Sequence, residues 1–251
     1  MEAVLEASGL SYSYEGRKGC DGGFTVSLPR LELGKGAVTA LTGVSGSGKS
    51  TLLECLGLLR PVGSAEAFKA AGRDMLALGA REQHLIRSSL MGFMPQMGGL
   101  IPFLTVRGNL EAAFDLAASS MKKAGIAPPD RQKALSEALA MCESLGIEDL
   151  LERYPSELSI GQAQRASFVR ATVHSPRILF VDEPTSALDP PRALELFEKM
   201  KDLVSEKGLA ALVVTHDTAL AAQCGFKRCS YDRALSSADR SVFTYEAGRL
   251  S

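Results

Sequence analysis

The stretch AVTALTGVSGSGKST, residues 37–51, decides how the rest of the chain is read. Its first seven residues, AVTALTG, are rich in β-formers and end in glycine, which reads as a strand running into a turn. From that glycine the sequence GVSGSGKST fits the spacing G-x-x-x-x-G-K-[ST] of a phosphate-binding loop. The run after Lys49 reads as a helix, so the loop stands where its chemistry requires, between a strand and a helix. Gly43, Gly46 and Gly48 let the backbone fold tightly and point its N–H groups inward at phosphate oxygens. Lys49 is then placed to reach β- and γ-phosphates, and Ser50 to offer its hydroxyl to Mg²⁺. The competing reading is a flexible Gly/Ser turn, which four fixed positions with the right flanks set aside.

The same strand–helix alternation recurs along the chain. RILFVDEP (177–184) is a continuous apolar run ending in two carboxylates, and LAALVVTHD (209–217) is a second run of the same kind. Both read as buried parallel strands, and the fold class is α/β with a mostly parallel sheet. Asp182, at a strand end, is placed to hold Mg²⁺ through water, and Glu183 is the candidate general base for an attacking water. Two regions depart from this pattern. AVLEASGLSYSY (3–14) and FTVSLPRLEL (24–33) read as short antiparallel strands. Residues 105–158 read as mainly helical: in PPDRQKALSEALAMCESLGI (128–147), Leu135, Ala138, Leu139, Cys142 and Leu145 share one helical face, with Asp130 as N-cap and Gly146 as stop. No repeat or linker divides the chain, which reads as one domain with inserted subdomains.

Bulk composition narrows the function classes. Lys plus Arg number 28 against 29 Asp plus Glu, a formal net charge of −1 over 251 residues, which argues against nucleic acid as a partner. No apolar run approaches the roughly 20 residues needed to cross a bilayer. The N-terminus MEAVLEASGL lacks the basic start and apolar block of a secretory leader. Cys20, Cys55, Cys142, Cys224 and Cys229 are scattered without a zinc spacing, and read as reduced thiols of a cytoplasmic protein.

A third segment raises a different question. YPSELSIGQAQRAS (154–167) has helix-start chemistry at Ser159 and Gly161, so it offers free N–H groups and the positive end of a helix dipole. It brings no base, no metal ligands and no cluster of positive charge. It reads as part of an anion site that something else must complete.

Taken together and in order, these segments resemble the ATPases of ATP-binding-cassette (ABC) systems. Tyr14 resembles the aromatic that stacks on adenine, with Tyr12 as the fallback. Residues 43–51 match the Walker A loop, which places Gly43, Ser45, Gly46, Ser47, Gly48, Lys49, Ser50 and Thr51 among the nucleotide contacts. Gln96 in GFMPQ matches the Q-loop glutamine, which contacts metal or water. LSIGQ (158–162) matches the family signature, ILFVDE the Walker B strand, SALD (186–189) the D-loop, and His216 in VTHD the H-loop histidine. The resemblance spans nearly the whole chain. It implies an ABC ATPase cassette with a RecA-like core (37–96 and 159–251), an N-terminal antiparallel β subdomain (1–36) and an α-helical signature subdomain (97–158).

It also implies how the signature is completed. Two copies meet head to tail, and each ATP lies between one copy's Walker A and the other's signature, so Ser159, Gly161 and Gln162 face a γ-phosphate held by the partner, with Asp189 nearby. Glu183, His216 and Gln96 are the expected catalytic set; Ser50, Gln96 and Asp182 are the expected Mg²⁺ contacts. One position departs from the pattern: Ile160 stands where a glycine is usual. A positive φ there would strain a β-branched residue. The resemblance implies that the position is permissive where the next glycine is kept, as Gly161 is, so a working signature is expected, the alternative being a degenerate half-site with slow hydrolysis. His84 and His174 lack any such context and read as ordinary.

What such an ATPase would drive is read from the segment around Gln96. RSSLMGFMPQMGGLIPFLTVRGNL (87–110) resembles the subgroup of lipoprotein-release and macrolide-export ATPases (LolD and MacB types) and the cell-division ATPase FtsE. GGLIPFL (98–104) is apolar for a loop and reads either as packing or as a groove for a short helix of a membrane partner. The leading expectation is a transporter subunit acting on a separate integral membrane permease, peripheral on the inner face of the cell membrane. Mechanotransmission of the FtsE kind is the alternative. A soluble ABC ATPase of repair or translation is disfavoured, since the chain has neither a coiled-coil insert nor a second cassette. In the tail, SVFTYEAGRL (241–250) reads as a final strand and turn, and DRALSSADR (232–240) as an addition.

Overall fold

The computed structural model describes residues 3–14, 23–97 and 99–249. Cys20, Gly98, Leu250 and Ser251 lie outside the described residues. The chain opens on two long strands, β1 (Ala3–Ser13) and β2 (Thr25–Gly34), paired antiparallel with Leu5 opposite Leu33 and Ser13 opposite Thr25. Strand β3 (Ala37–Thr42) then runs into the glycine-rich loop and helix α1 (Lys49–Leu56). Two short strands, β4 (Ala67–Ala70) and β5 (Arg73–Asp74), extend the antiparallel side by pairing onto β1 and onto each other.

Helix α2 (Ala80–Leu90) leads into β6 (Met91–Met94), and the helical stretch follows as α3 (Val106–Lys123) and α4 (Arg131–Ser144). Each of these two starts at an N-cap side chain that accepts a backbone N–H: Thr105 from Gly108 at 3.1 Å, and Asp130 from Lys133 at 2.8 Å. The buried stripe of α4 runs through Ala134, Ala138 and Cys142, and Leu135 and Leu139 of the sequence-read face are only half-buried. The chain turns at Gly146, whose φ of 61° no β-branched residue would adopt easily.

The remaining elements alternate as the sequence pattern requires: α5 (Ile160–Thr172), β7 (Ile178–Asp182), α6 (Pro190–Lys207), β8 (Ala210–Val214), α7 (Thr218–Gln223), β9 (Lys227–Tyr231) and β10 (Arg240–Arg249). All lie in or against one ten-stranded sheet, ordered β5-β4-β1-β2-β10-β9-β3-β8-β7-β6. Strands β9, β3, β8, β7 and β6 are mutually parallel. β10 joins the two halves, parallel to β2 through Arg240–Val242 and antiparallel to β9 from Phe243 onward. The tail is thus built into the sheet, with residues 232–239 as the connection between β9 and β10.

The parallel strands are buried on both faces, which explains their unbroken apolar sequence. On β8, Ala210, Leu212 and Val214 face a core shared with α1, α2 and the antiparallel strands, while Ala211 and Val213 face a core built with α3 to α7. Each Leu, Val or Phe so enclosed contributes roughly 1.5–3 kcal/mol relative to exposure. Twin cores of this kind leave the carboxyl-terminal ends of β3, β7 and β8 side by side, the place where open α/β sheets hold ligands.

Candidate active site

At the end of β3 the loop closes tightly on its own backbone. Gly48 adopts φ 91°, and a Cβ there would stand 2.4 Å from Val26 Cγ2, so only glycine fits. Gly43 is equally constrained, since its Cβ would meet Tyr231 Cβ at 2.7 Å. Ser47 is buried and its hydroxyl donates to the Val44 carbonyl at 2.8 Å. Lys49 Nζ turns back to donate to the carbonyls of Gly43 at 3.0 Å and Val44 at 3.1 Å. Burial lowers the Lys49 pKa from its ordinary value, against the raising influence of Glu183 and Asp182.

The loop floors a cavity of about 430 Å³ that gathers residues from widely separated parts of the chain. Ser45, Gly46, Gly48, Lys49, Ser50 and Thr51 come from the loop and α1, and Gln96 from beyond β6. Glu183 and His216 come from the ends of β7 and β8, and Tyr14 and Phe24 from the ends of β1 and β2. Tyr14 is fixed by its hydroxyl, 2.7 Å from Thr51 Oγ1, and by its N–H, which donates to the Phe24 carbonyl at 2.8 Å. The two rings tilt toward each other with centroids 6.5 Å apart.

Glu183 holds its carboxylate over this cavity by an unusual backbone. Its φ of 49° lies in the left-handed region, a conformation that costs a non-glycine residue about 1–2 kcal/mol. The strain is anchored by its N–H, which donates to the Val214 carbonyl at 3.0 Å. His216 Nε2 stands 3.1 Å from Glu183 Oε1, off the line of a well-formed hydrogen bond, and 3.5 Å from Lys49 Nζ. Desolvation raises the Glu183 pKa, with His216 and Lys49 acting against it. A carboxylate raised by burial beside the Lys49 ammonium is suited to taking a proton.

Asp182 lies buried beneath, its Oδ1 without any hydrogen-bond partner. Desolvation raises its pKa, and the neighbouring Ser50 hydroxyl and Lys49 favour its charged form. A buried, unpartnered carboxylate oxygen next to a hydroxyl fits a hard divalent cation such as Mg²⁺, which takes oxygen ligands from one or two side chains and completes its shell with phosphate and water.

The remaining sequence-predicted residues stand outside the cavity. Ser159 and Gln162 form a capping box at the start of α5, with Ser159 N–H to Gln162 Oε1 at 2.8 Å and Gln162 N–H to Ser159 Oγ at 3.3 Å. Ile160 is the first residue of α5, is not among the left-handed residues, and exposes 71% of its surface. Gly161 is pressed against the segment before α6: its Cβ would lie 2.8 Å from Leu188 Cδ2. Asp189 caps α6, accepting the Arg192 N–H at 3.0 Å. His84 pairs with Arg87, and His174 is buried against the Met91 carbonyl, both away from the cavity.

Two participants escape the sequence reading. Phe24 enters the cavity only because the β1–β2 register sets it beside Tyr14, across a glycine-containing connection with no periodic signal. Gln164 is buried in α5; its Nε2 donates to Ser186 Oγ at 3.0 Å and approaches the Glu183 carbonyl at 3.5 Å. It ties α5 to the backbone that carries Glu183.

A phosphate loop at a strand end, with a buried carboxylate pair and a histidine converging on it, defines a P-loop nucleoside triphosphatase. Comparison with known proteins sets the family. The chain matches the ABC transporter family over residues 28–186 and belongs to it, as an ATP-binding cassette with ATPase activity. It is 35% identical over 222 residues to the lipoprotein-releasing system ATP-binding protein LolD of Pseudomonas syringae pv. tomato, covering 88% of this chain and 92% of that one. It is 36% identical to the macrolide export ATP-binding/permease protein MacB of Shigella flexneri over 77% of this chain and 28% of that longer one. Among solved structures, the dimeric bacterial ABC transporter cassette MJ0796 superposes with a TM-score of 0.76 at 26% identity, covering 90% of this chain and 93% of that one. The same cassette as a post-hydrolysis dimer bound to ADP and Pi gives 0.74 at 28% identity, with the same shares covered.

Proposed function

We propose that this chain is the motor subunit of a membrane transporter. Two copies close head to tail around two Mg–ATP and drive a separate integral membrane permease of the lipoprotein-release or macrolide-export kind. The observation that carries this reading is the division of the site. One cavity gathers the phosphate loop, Glu183 and His216, while Ser159, Gly161 and Gln162 sit outside it at an exposed helix start. Such a start supplies anion-binding groups that a second copy's nucleotide would use.

Within that reading the residues divide the work. The loop amides and Lys49 hold the β- and γ-phosphates, and Lys49 exchanges its two carbonyl partners for phosphate oxygens. Tyr14 supplies the platform for the base, with Phe24 beside it. Ser50, Asp182 and Gln96 are the residues that would hold Mg²⁺, whose chemistry is to neutralise charge on the transferring phosphoryl group. Glu183 takes the proton of the attacking water, and His216 fixes its carboxylate and reaches toward the γ-phosphate. Asp189 and Gly161, packed through the 187–188 segment, carry closure of one copy to the other. The corresponding division into subdomains is 1–36, 37–96 with 159–251, and 97–158.

Support for a membrane partner is the apolar loop after Gln96, where Met97 exposes 85% and Phe103 76% of its surface. Among the described residues no helix is long and apolar enough to cross a membrane. The chain would then work on the cytoplasmic face, held there through the permease. The test is to tag Glu183→Gln, trap it with ATP, solubilise native membranes gently and identify what elutes. A stoichiometric integral membrane protein supports the reading; a soluble dimer without such a companion overturns the permease, and a monomer overturns the head-to-tail closure.

A further inference from the structure

Tyr14 is held from outside the nucleotide cavity by a guanidinium. Arg60 Cζ lies 5.4 Å from the centre of the Tyr14 ring and 5.1 Å from that of Tyr12. The two tyrosines meet edge to face with centroids 5.1 Å apart. Arg60 Nη1 donates to the Tyr12 hydroxyl at 3.2 Å, while Nε and Nη2 both reach Glu54 Oε2, at 2.9 and 2.8 Å. Tyr14 lines the cavity, and Arg60 and Tyr12 do not.

The connectivity gives this cluster a purpose. Glu54 lies on α1, the helix that begins at Lys49 and carries Thr51, the hydrogen-bond partner of Tyr14. After α1 the chain passes through Leu58 in a left-handed turn at φ 55°, and the Arg60 N–H returns to the Glu54 carbonyl at 3.2 Å. That return places the guanidinium over both rings. Tyr14 is therefore bound to α1 twice, directly through Thr51 and indirectly through Arg60 and Glu54.

We propose that Arg60 is a positioning residue for the nucleotide base: it clamps Tyr12 and Tyr14 onto α1, so that base platform and phosphate loop move as one body. The proposal rests on the reading of Tyr14 as the base contact. A cation over an aromatic ring at a partly exposed site holds that ring with an energy equivalent to about a three- to tenfold change in binding. The effect belongs to ligands that carry a base and is absent from those that carry only phosphates.

The chain has no tryptophan, so Tyr14→Trp supplies a single emitter at the platform. ATP and inorganic triphosphate are titrated against Tyr14→Trp alone and combined with Arg60→Met, Arg60→Lys or Glu54→Gln, triphosphate being read by displacement of ATP. With Tyr14 intact, KM and kcat are measured for the same Arg60 and Glu54 variants. The expected result is that Arg60→Met weakens ATP about three- to tenfold, leaves triphosphate unchanged, and raises KM at constant kcat. Arg60→Lys recovers part of the loss, and Glu54→Gln, which keeps the cation but frees it, falls between. Equal weakening of ATP and triphosphate, or no weakening of ATP, overturns the proposal. Emission from Tyr14→Trp that ignores ATP overturns the reading of Tyr14 itself, and the proposal with it, whatever the Arg60 variants do.

Discussion

His216 Nε2 and Glu183 Oε1 stand 3.1 Å apart at the ends of adjacent strands, although neither residue is near the other in sequence. The contact depends on Glu183 accepting a left-handed backbone, and it aims a buried carboxylate at the space above Lys49. Replacing Glu183 by Gln keeps the shape and removes the proton acceptor. Single-turnover phosphate release should then fall about 10²–10⁴-fold, with ATP affinity altered by less than about threefold. His216→Ala should fall less, because the carboxylate remains. Hydrolysis by Glu183→Gln at the wild-type rate would remove Glu183 from the role of base.

Asp182 presents a trade between stability and activity. Its Oδ1 is buried and unpartnered, and desolvation disfavours its charge. Asp182→Asn removes that buried charge, so the melting temperature of the nucleotide-free protein should rise, by about 2–4 °C for each kcal/mol relieved. The same variant should need about tenfold more Mg²⁺ for half-maximal hydrolysis. A variant that melts lower and keeps its Mg²⁺ dependence would show that Asp182 is held by a partner rather than waiting for a cation.

Much of this architecture is legible in the sequence alone, for physical reasons that differ by element. Strands β7 and β8 are buried on both faces, so every residue from Ile178 to Val181 and from Ala210 to Val214 is apolar and the run identifies itself. The loop at 43–51 is legible because its glycine spacing is fixed by close packing: at Gly48 and Gly43 a side chain would strike Val26 or Tyr231. Strands β4 and β5 leave no such mark, being four and two residues long, too short for a period to show. Phe24 and Arg60 leave none either. Each owes its place to a turn and a register, which bring together residues that no local pattern connects.

Ile160 and Gly161, neighbours at the start of α5, differ sharply in the room around them. Ile160 begins α5 with its side chain exposed, so Ile160→Gly should change ATP hydrolysis by no more than about twofold. Gly161 has no such room, since an added Cβ would meet Leu188 Cδ2 at 2.8 Å and the Ala187 carbonyl at 3.3 Å. Gly161→Ala should displace the 187–188 segment, lower steady-state hydrolysis about tenfold or more, and leave ATP binding to a single copy within about twofold. The two variants assayed side by side check this. A large gain from Ile160→Gly would show that Ile160 impairs the signature.

Acid should weaken the fold through His174. The imidazole is buried against the Met91 carbonyl with Nδ1 unpartnered, and desolvation, with a smaller contribution from Arg170, lowers its pKa to about 4. The folded state therefore keeps it neutral where the unfolded chain, titrating near 6.5, already binds a proton. Its contribution is fully present above about pH 6.5 and is lost as pH falls toward 4, by roughly 3 kcal/mol over that window. Urea unfolding at pH 7.5, 6.0 and 5.0 should show stability declining with acid in the wild type. His174→Gln, which cannot take the proton, should flatten the part of that decline lying between pH 6.5 and 4. Parallel curves for the two proteins would mean that water or a carboxylate reaches His174 and lets it titrate normally in the folded state.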